Sequence, residues 1–453
     1  MRKIRFQRLK NVVILGLVVL AFYQTGKLWL GNEPGHNFFS SLISFDAVIP
    51  DHQAVRLAPL DPEQLVVGFG NNIFQVFYCG REETALKKAG DSFIAETLSD
   101  GSWRLLSGQE AEAILSRRCL LYRFCIDVSV SQYLEAAAPE AEGIDGLEFI
   151  SYLAAAPSGE DGQAGMLYLV DEGTQTAALV YDSQSSTGKA LWDAIGQARS
   201  AEALNFLSTV QSGLNIFQGN LFVPQWSGEE YTYHCLQQQN LLPTGEGLAS
   251  ALQEAASGFF ASSETPVFSV DETGVYVLSG DEAIVRYQTN GVLEYYGYGR
   301  TSSGQSQNLS SAYRACLDFM ERDKTLGDQV YLSDVAMRGE SLIFCFDAYE
   351  GSLPILLGDE VQQKLGIGHA VEVVVEENQV TRYRRRMVSY TPGQEDQVTE
   401  DFVAAMNETI SAAGQAVTAI DDICLGYYDS GEEELTLHWF TWAGGTRYQV
   451  GTA

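Results

Sequence analysis

From Val12 to Leu30 the chain is apolar at nearly every position, interrupted only by Gly16 and by Gln24, Thr25, Gly26 and Lys27. Nineteen residues at about 1.5 Å each reach about 28 Å, close to the hydrocarbon thickness of a bilayer, so the pattern predicts one membrane-spanning helix. Arg2, Lys3, Arg5, Arg8 and Lys10 precede it without an acidic residue. By the positive-inside rule the N-terminus lies in the cytoplasm and everything after Gly31 lies outside. A cleaved signal peptide is the alternative; against it, the end of the run lacks a small-x-small cleavage site and Trp29 suits an interfacial anchor.

Downstream the period changes to two. Residues 64–78 alternate around Gly70-Asn71-Asn72, which reads as a hairpin, and further strands are expected at 119–130, 165–170 and 176–181. Helical patterns fall at 110–117, 190–206 and 400–413, and closing strands at 423–428 and 435–450 around Gly444-Gly445. The segment Val285–Tyr295 aligns without gaps on Val373–Tyr383, each a strand, an Asn-centred turn and a strand. Duplication of a domain and a chance likeness between hairpins are both open explanations. The expected fold class is α+β: an N-terminal single transmembrane helix, then extracytoplasmic domains with antiparallel sheets packed against helices on one face. The expected organisation is a basic tail and span (1–30), a linker (31–44), and α+β domains at 45–188, 189–310 and 311–453.

Composition narrows the function classes. The chain has 28 basic against 59 acidic residues, and six of the basic ones lie in the first thirty positions. Such acidity repels nucleic acid and anionic lipid from the region beyond the span. Seven cysteines without a C-x-x-C pair or a zinc spacing read as buried thiols.

Candidate chemistry is sparse. No two of His36, His52, His234, His369 and His438 stand at a metal-binding interval, so no metal or cofactor site is expected. Ser186-Thr-Gly-Lys189 matches S-x-x-K, but no S-D-N or K-T-G element accompanies it. Asp421-Asp422 and Glu432–Glu434 lack the oxygen spacing of a calcium loop. Arg384, Arg385 and Arg386 form a basic cluster in an acidic region; on a strand Arg384 and Arg386 face one way and Arg385 the other, suited to salt bridges or to a protein interface. Within the span, Gly16 permits close helix approach, and Gln24 and Thr25 offer interhelical hydrogen bonds worth about 0.6–2 kcal/mol.

The basic tail, the span ending in Tyr23-Gln-Thr-Gly-Lys-Leu-Trp29, the Phe74–Tyr78 strand and the Trp103 segment together resemble the YycH family, with the related YycI proteins, of low-GC Gram-positive bacteria. The Phe346–Pro354 segment, the 371–383 hairpin and the closing Trp439/Tyr448 hairpin resemble the repeated domain of both families. The resemblance implies a non-enzymatic regulator, located at the cell membrane, that acts on a sensor histidine kinase controlling cell-wall metabolism. It implies a YycI-like single-pass paralogue as second partner and no catalytic residues. The alternative is a binding module for wall polymer or peptide, with a groove near Tyr287, Tyr295 and Tyr296.

Overall fold

A computed structural model describes residues 60–81, 84–141, 143–159, 162–199, 204–213, 217, 219–225, 231–298, 308–399, 402–413, 419–444 and 446–450. The expected span, with Gly16, Gln24 and Thr25, lies outside the described residues.

The first sheet has nine strands: β1 Gln64–Phe69, β2 Phe74–Tyr78, β3 Ser102–Ser107, β4 Arg118–Ser129, β5 Phe149–Ser158, β6 Ala164–Asp171, β7 Thr176–Asp182, β8 Phe206–Ser208 and β9 Phe222–Pro224, in the order β3-β7-β6-β5-β4-β1-β2-β8-β9. Three helices, α1 Ala85–Asp100, α2 Val130–Ala137 and α3 Gly188–Ala198, supply Phe93, Ile94, Leu134, Leu191 and Ile195 to a core with Leu120, Tyr122 and Leu153. On the opposite face Ile114 and Leu115, from the helical turns at 108–116, pack with Val66, Leu121 and Ala154. Gly90 lets α1 approach β4 closely, and the Tyr122 hydroxyl donates to Lys87 O at 3.0 Å and to Asp91 Oδ1 at 2.9 Å.

The second sheet has fourteen strands: β10 Tyr231–Asn240, β11 Val267–Val270, β12 Tyr276–Ser279, β13 Ala283–Tyr287, β14 Val292–Gly297, β15 Val330–Arg338, β16 Ser341–Glu350, β17 Leu353–Leu357, β18 Val371–Glu376, β19 Gln379–Arg386, β20 Val388–Thr399, β21 Asp422–Asp429, β22 Glu434–Ala443 and β23 Thr446–Val450. Its path runs β11-β12-β13-β14-β19-β18-β16-β17-β21-β22-β10-β20, with β15 on β16 and β23 on β22, and only β17–β21 pair in parallel among the named strands. The helices are α4 Leu248–Ala256, α5 Leu309–Met320, α6 Asp359–Leu365 and α7 Phe402–Ala413. Of these, α4, α5 and α7 join one large core with Phe344, Tyr383 and Trp439, whereas α6 packs Val361 and Leu365 against Val292 and Leu357 in a separate cluster.

This architecture corrects the expected fold class. Antiparallel sheets dominate, helices lie on both faces rather than one, and the described chain contains no spanning helix. The longest described helix, α1, has 16 residues and carries Lys87, Lys88, Asp91, Glu96 and Asp100. Among the described residues no helix is long and apolar enough to cross a membrane. The expected location at the cell membrane through one span is therefore unsupported.

The two echoed segments are the hairpins β13–β14 and β18–β19, and β14 pairs directly with β19 in the same sheet. Their turns differ. Positive φ falls on Gly291 in the first and on Glu377 and Asn378 in the second.

Candidate functional site: a polar row across the large sheet

Alternation along β19 splits its side chains between two environments. Tyr383 and Arg385 face the α5 side, where Asp323 receives the Tyr383 hydroxyl at 2.8 Å, Arg385 Nη1 at 2.7 Å and the Thr325 hydroxyl at 2.7 Å. Burial alone would raise the Asp323 carboxyl; Arg385 and these hydrogen bonds overcome it and hold the carboxyl low. Arg382, Arg384 and Arg386 face the other way. Arg386 pairs with Asp429, which also accepts from the Tyr390 hydroxyl at 3.1 Å. All three arginines of the expected cluster are buried and each is paired with a carboxylate.

Cross-strand register turns this second face into a row. Glu294 of β14 lies opposite Arg384, Arg384 opposite Glu372 of β18, Glu372 opposite Cys345 of β16, and Cys345 opposite Asp334 of β15. Arg384 Nε donates to Glu294 at 2.9 Å and its Nη1 to Glu372 at 3.3 Å. Despite the cost of burial, Arg384 and Arg382 hold the Glu294 carboxyl below its usual value. Glu372 also accepts from Gly368 N at 2.7 Å, which fixes the loop carrying His369.

At the β15 end the row changes character. A bulge between Leu332 and Asp334 brings Asp334 into register with Cys345. Donor atoms of Asp334, Cys345 and His369 all lie within 4.8 Å of one another. His369 Nδ1 is 3.0 Å from Asp347 Oδ2 and 3.3 Å from the Ser333 hydroxyl, and Ala370 N donates to Asp347 Oδ1 at 3.4 Å. A carboxylate only accepts, so Nδ1 carries a proton; against the cost of burial, Cys345 and Asp347 raise the His369 imidazole well above its ordinary value. Burial pushes the Cys345 thiol up while His369 draws it down. The Asp347 carboxyl is held low: His369 outweighs the effect of burial.

This end abuts the first sheet. Tyr78 packs on Tyr331 at 4.3 Å and on Tyr349 at 5.9 Å between ring centroids, and Arg81 N donates to Asp328 O. Arg123 of β4 lies 3.8 Å from Asp422 of β21. Half-buried Glu63 lies among these charges. Burial pushes its carboxyl up to about 7; Arg123 opposes the rise, and Asp422, Asp347 and Asp334 add to it. Cys125 of β4 feels Glu63, Asp334 and Cys345 as well, and burial leads in raising its thiol.

Other sequence candidates have different settings. The Ser185, Ser186 and Thr187 hydroxyls all donate to Glu96 of α1, as do the Ser186 and Thr187 amides at 2.7 and 2.9 Å. Lys189 points instead to Asp193, 3.6 Å away. The S-x-x-K segment is thus the carboxylate-capped start of α3. Against the cost of burial, the hydrogen bonds from Ser186, Thr187 and Ser185 lower the Glu96 carboxyl to about 2. Tyr287 and Tyr295 belong to the large core, and Tyr296 lies under the Arg382 guanidinium at 5.3 Å, so these rings do not line a groove together. His438 donates to or accepts from the Thr436 hydroxyl at 2.9 Å.

The Asp334–Cys345–His369 grouping has no spacing that a sequence reading would seize, since its members come from two strands and a loop. The available signal was local: in Phe344-Cys345-Phe346-Asp347 both phenylalanines enter the core, which puts Cys345 and Asp347 on the opposite face.

Fold and site together define a predominantly antiparallel two-sheet protein with an ionic and thiol-bearing row ending at the sheet junction. Within that class the chain is similar in fold to YycH from Bacillus subtilis, with a TM-score of 0.52 and 12% identity over 88% of this chain and 99% of that one. An uncharacterized protein from Eubacterium rectale aligns with 51% of this chain and 86% of its own at 9% identity and a TM-score of 0.30. The Bacillus megaterium YpeB C-terminal domain aligns with 46% of this chain and 92% of its own at 11% identity and a TM-score of 0.27. No protein-family profile and no curated protein sequence matches the chain.

Proposed function

We propose that this protein is a non-enzymatic, YycH-like regulator that acts by protein–protein contact on a sensor histidine kinase controlling cell-wall metabolism, with a YycI-like paralogue as a second partner. The observation that carries the reading is the end-to-end likeness in fold to YycH, which takes in nearly all of that chain. It is joined by the family-like segments of the sequence. The Ser186 and Thr187 hydroxyls serve to cap α3 through Glu96, which accounts for the S-x-x-K segment without a catalytic role.

In-cell crosslinking of the tagged full-length chain, followed by identification of the captured proteins, tests this reading. A sensor histidine kinase enriched over an unrelated tagged control is the expected result. Wall polymer or wall-synthesis proteins without any histidine kinase would overturn it in favour of a binding module.

A further inference from the structure

We propose that Asp334, Cys345 and His369 bind a single Zn²⁺ ion at the junction of the two sheets, with Asp347 as the residue that positions His369. This site goes beyond the regulatory reading and stands or falls independently of it.

Three observations carry it. First, one carboxylate, one thiol and one imidazole converge within 4.8 Å. This mixed oxygen, sulfur and nitrogen set suits Zn²⁺, whereas Ca²⁺ and Mg²⁺ take oxygen ligands. Second, the imidazole is oriented before any ion arrives: Asp347 accepts from Nδ1 and also grips Ala370 N, the next residue of the loop. A carboxylate behind a ligating histidine is the recurrent support of zinc sites, fixing the ring and leaving the far nitrogen to the metal. Third, the strand supplying Asp334 is bulged at the point that brings this residue opposite Cys345.

On binding, the ion would displace to solvent both the Cys345 thiol proton and the proton on the ligating nitrogen of His369, taking Cys345 as thiolate and the imidazole as a neutral ring. With three protein ligands, one coordination position remains for water or for a donor from a partner. Asp334 is exposed and His369 half-buried, so the position is open to solvent on that side.

The experiment uses the full-length chain, stripped with a chelator and titrated with Zn²⁺ against a competing chromophoric chelator, and separately with Co²⁺ as a spectroscopic probe. One ion per chain and a thiolate-to-cobalt charge-transfer band are expected. Cys345→Ser should remove the band and weaken Zn²⁺ binding at least about 100-fold, and Asp347→Asn should weaken it about 10- to 100-fold while leaving the thiolate band in place. Absence of the cobalt band in the unsubstituted protein would overturn the proposal without reference to any variant's folding. Binding by a folded Cys345→Ser protein equal to that of the parent would overturn it equally.

Discussion

Replacing Arg385 by Leu is expected to lower the stability of the fold by about 3–5 kcal/mol, because it strips a buried carboxylate of its countercharge. Asp323 and Arg385 have side-chain exposures of 1% and 4% and meet at 2.7 Å. Arg385 also donates to the Thr325 hydroxyl at 3.0 Å and the Thr325 carbonyl at 2.9 Å, so the substitution orphans several acceptors at once. Bringing the two charges together from water gains little net energy, since both ions are desolvated. Breaking the pair is the costly step. The same reasoning predicts that Asp323→Leu is comparably damaging and that the double variant costs less than the two single losses combined. Denaturant unfolding of the full-length proteins, followed by circular dichroism, measures the cycle. Strictly additive losses would mean that the two groups are not coupled as their geometry implies.

The second large effect is a dependence on pH set by Glu63. Its carboxyl lies at about 7 in the folded protein against 4.5 for the ordinary group. Between those values the folded state keeps a proton that the unfolded chain has released, so stability falls as pH rises from about 4.5 to about 7. The stabilisation is fully present below the unfolded value and is lost once pH passes the folded one. At about 1.4 kcal/mol for each factor of ten in proton affinity, the shift is worth at most about 3.5 kcal/mol, reduced by the water that reaches this half-buried side chain. Carboxyls of Glu172, Glu350 and Asp422 are also raised, with burial the leading cause, and act in the same direction. Glu63→Gln should therefore shrink the decline in unfolding free energy between pH 4.5 and about pH 7 without abolishing it. An unchanged slope in the Gln variant would remove Glu63 from the account. Opposite behaviour is expected in acid, where Glu96, Glu294, Asp323 and Asp347, all with lowered carboxyls, lose their stabilising contributions as pH falls below the ordinary carboxylate range.

How much of this was legible along the chain follows from how each element is buried. The hairpins β13–β14 and β18–β19 stand out because strands such as β13 alternate between buried and half-buried positions and Gly or Asn marks their turns, whereas β1–β2, with β1 buried on both faces, is marked chiefly by Gly70 and Asn72 at its turn. Strand β5 does not stand out. Its Ala154, Ala155 and Ala156 are all fully buried, since one face packs under α1 and α3 and the other under Ile114 and Leu115. Burial on both sides erases the period that a sequence reading relies on.

The arginine cluster was legible as a strand with opposed faces, but not its partners. Asp323 lies 62 residues from Arg385 and Glu294 lies 90 from Arg384 in the chain, and only strand register and the end of α5 bring them together. The same holds for Cys345 and His369, which sheet pairing and a loop held by Glu372 and Asp347 make neighbours. Apolar runs speak of local structure. The geometry of ion pairs and of the Asp334–Cys345–His369 grouping is a property of the assembled sheet.

The central proposal is that this protein, similar in fold to YycH, regulates a sensor kinase, and the most direct test is the kinase's output. Phosphorylation of the cognate response regulator would be followed in cells with the protein present, deleted and restored, using gels that separate phosphorylated from unmodified regulator. The account predicts a change in the phosphorylated fraction on deletion, reversed by the restored chain. An unchanged fraction across all three states, with the kinase and its regulator expressed at equal levels, would contradict it.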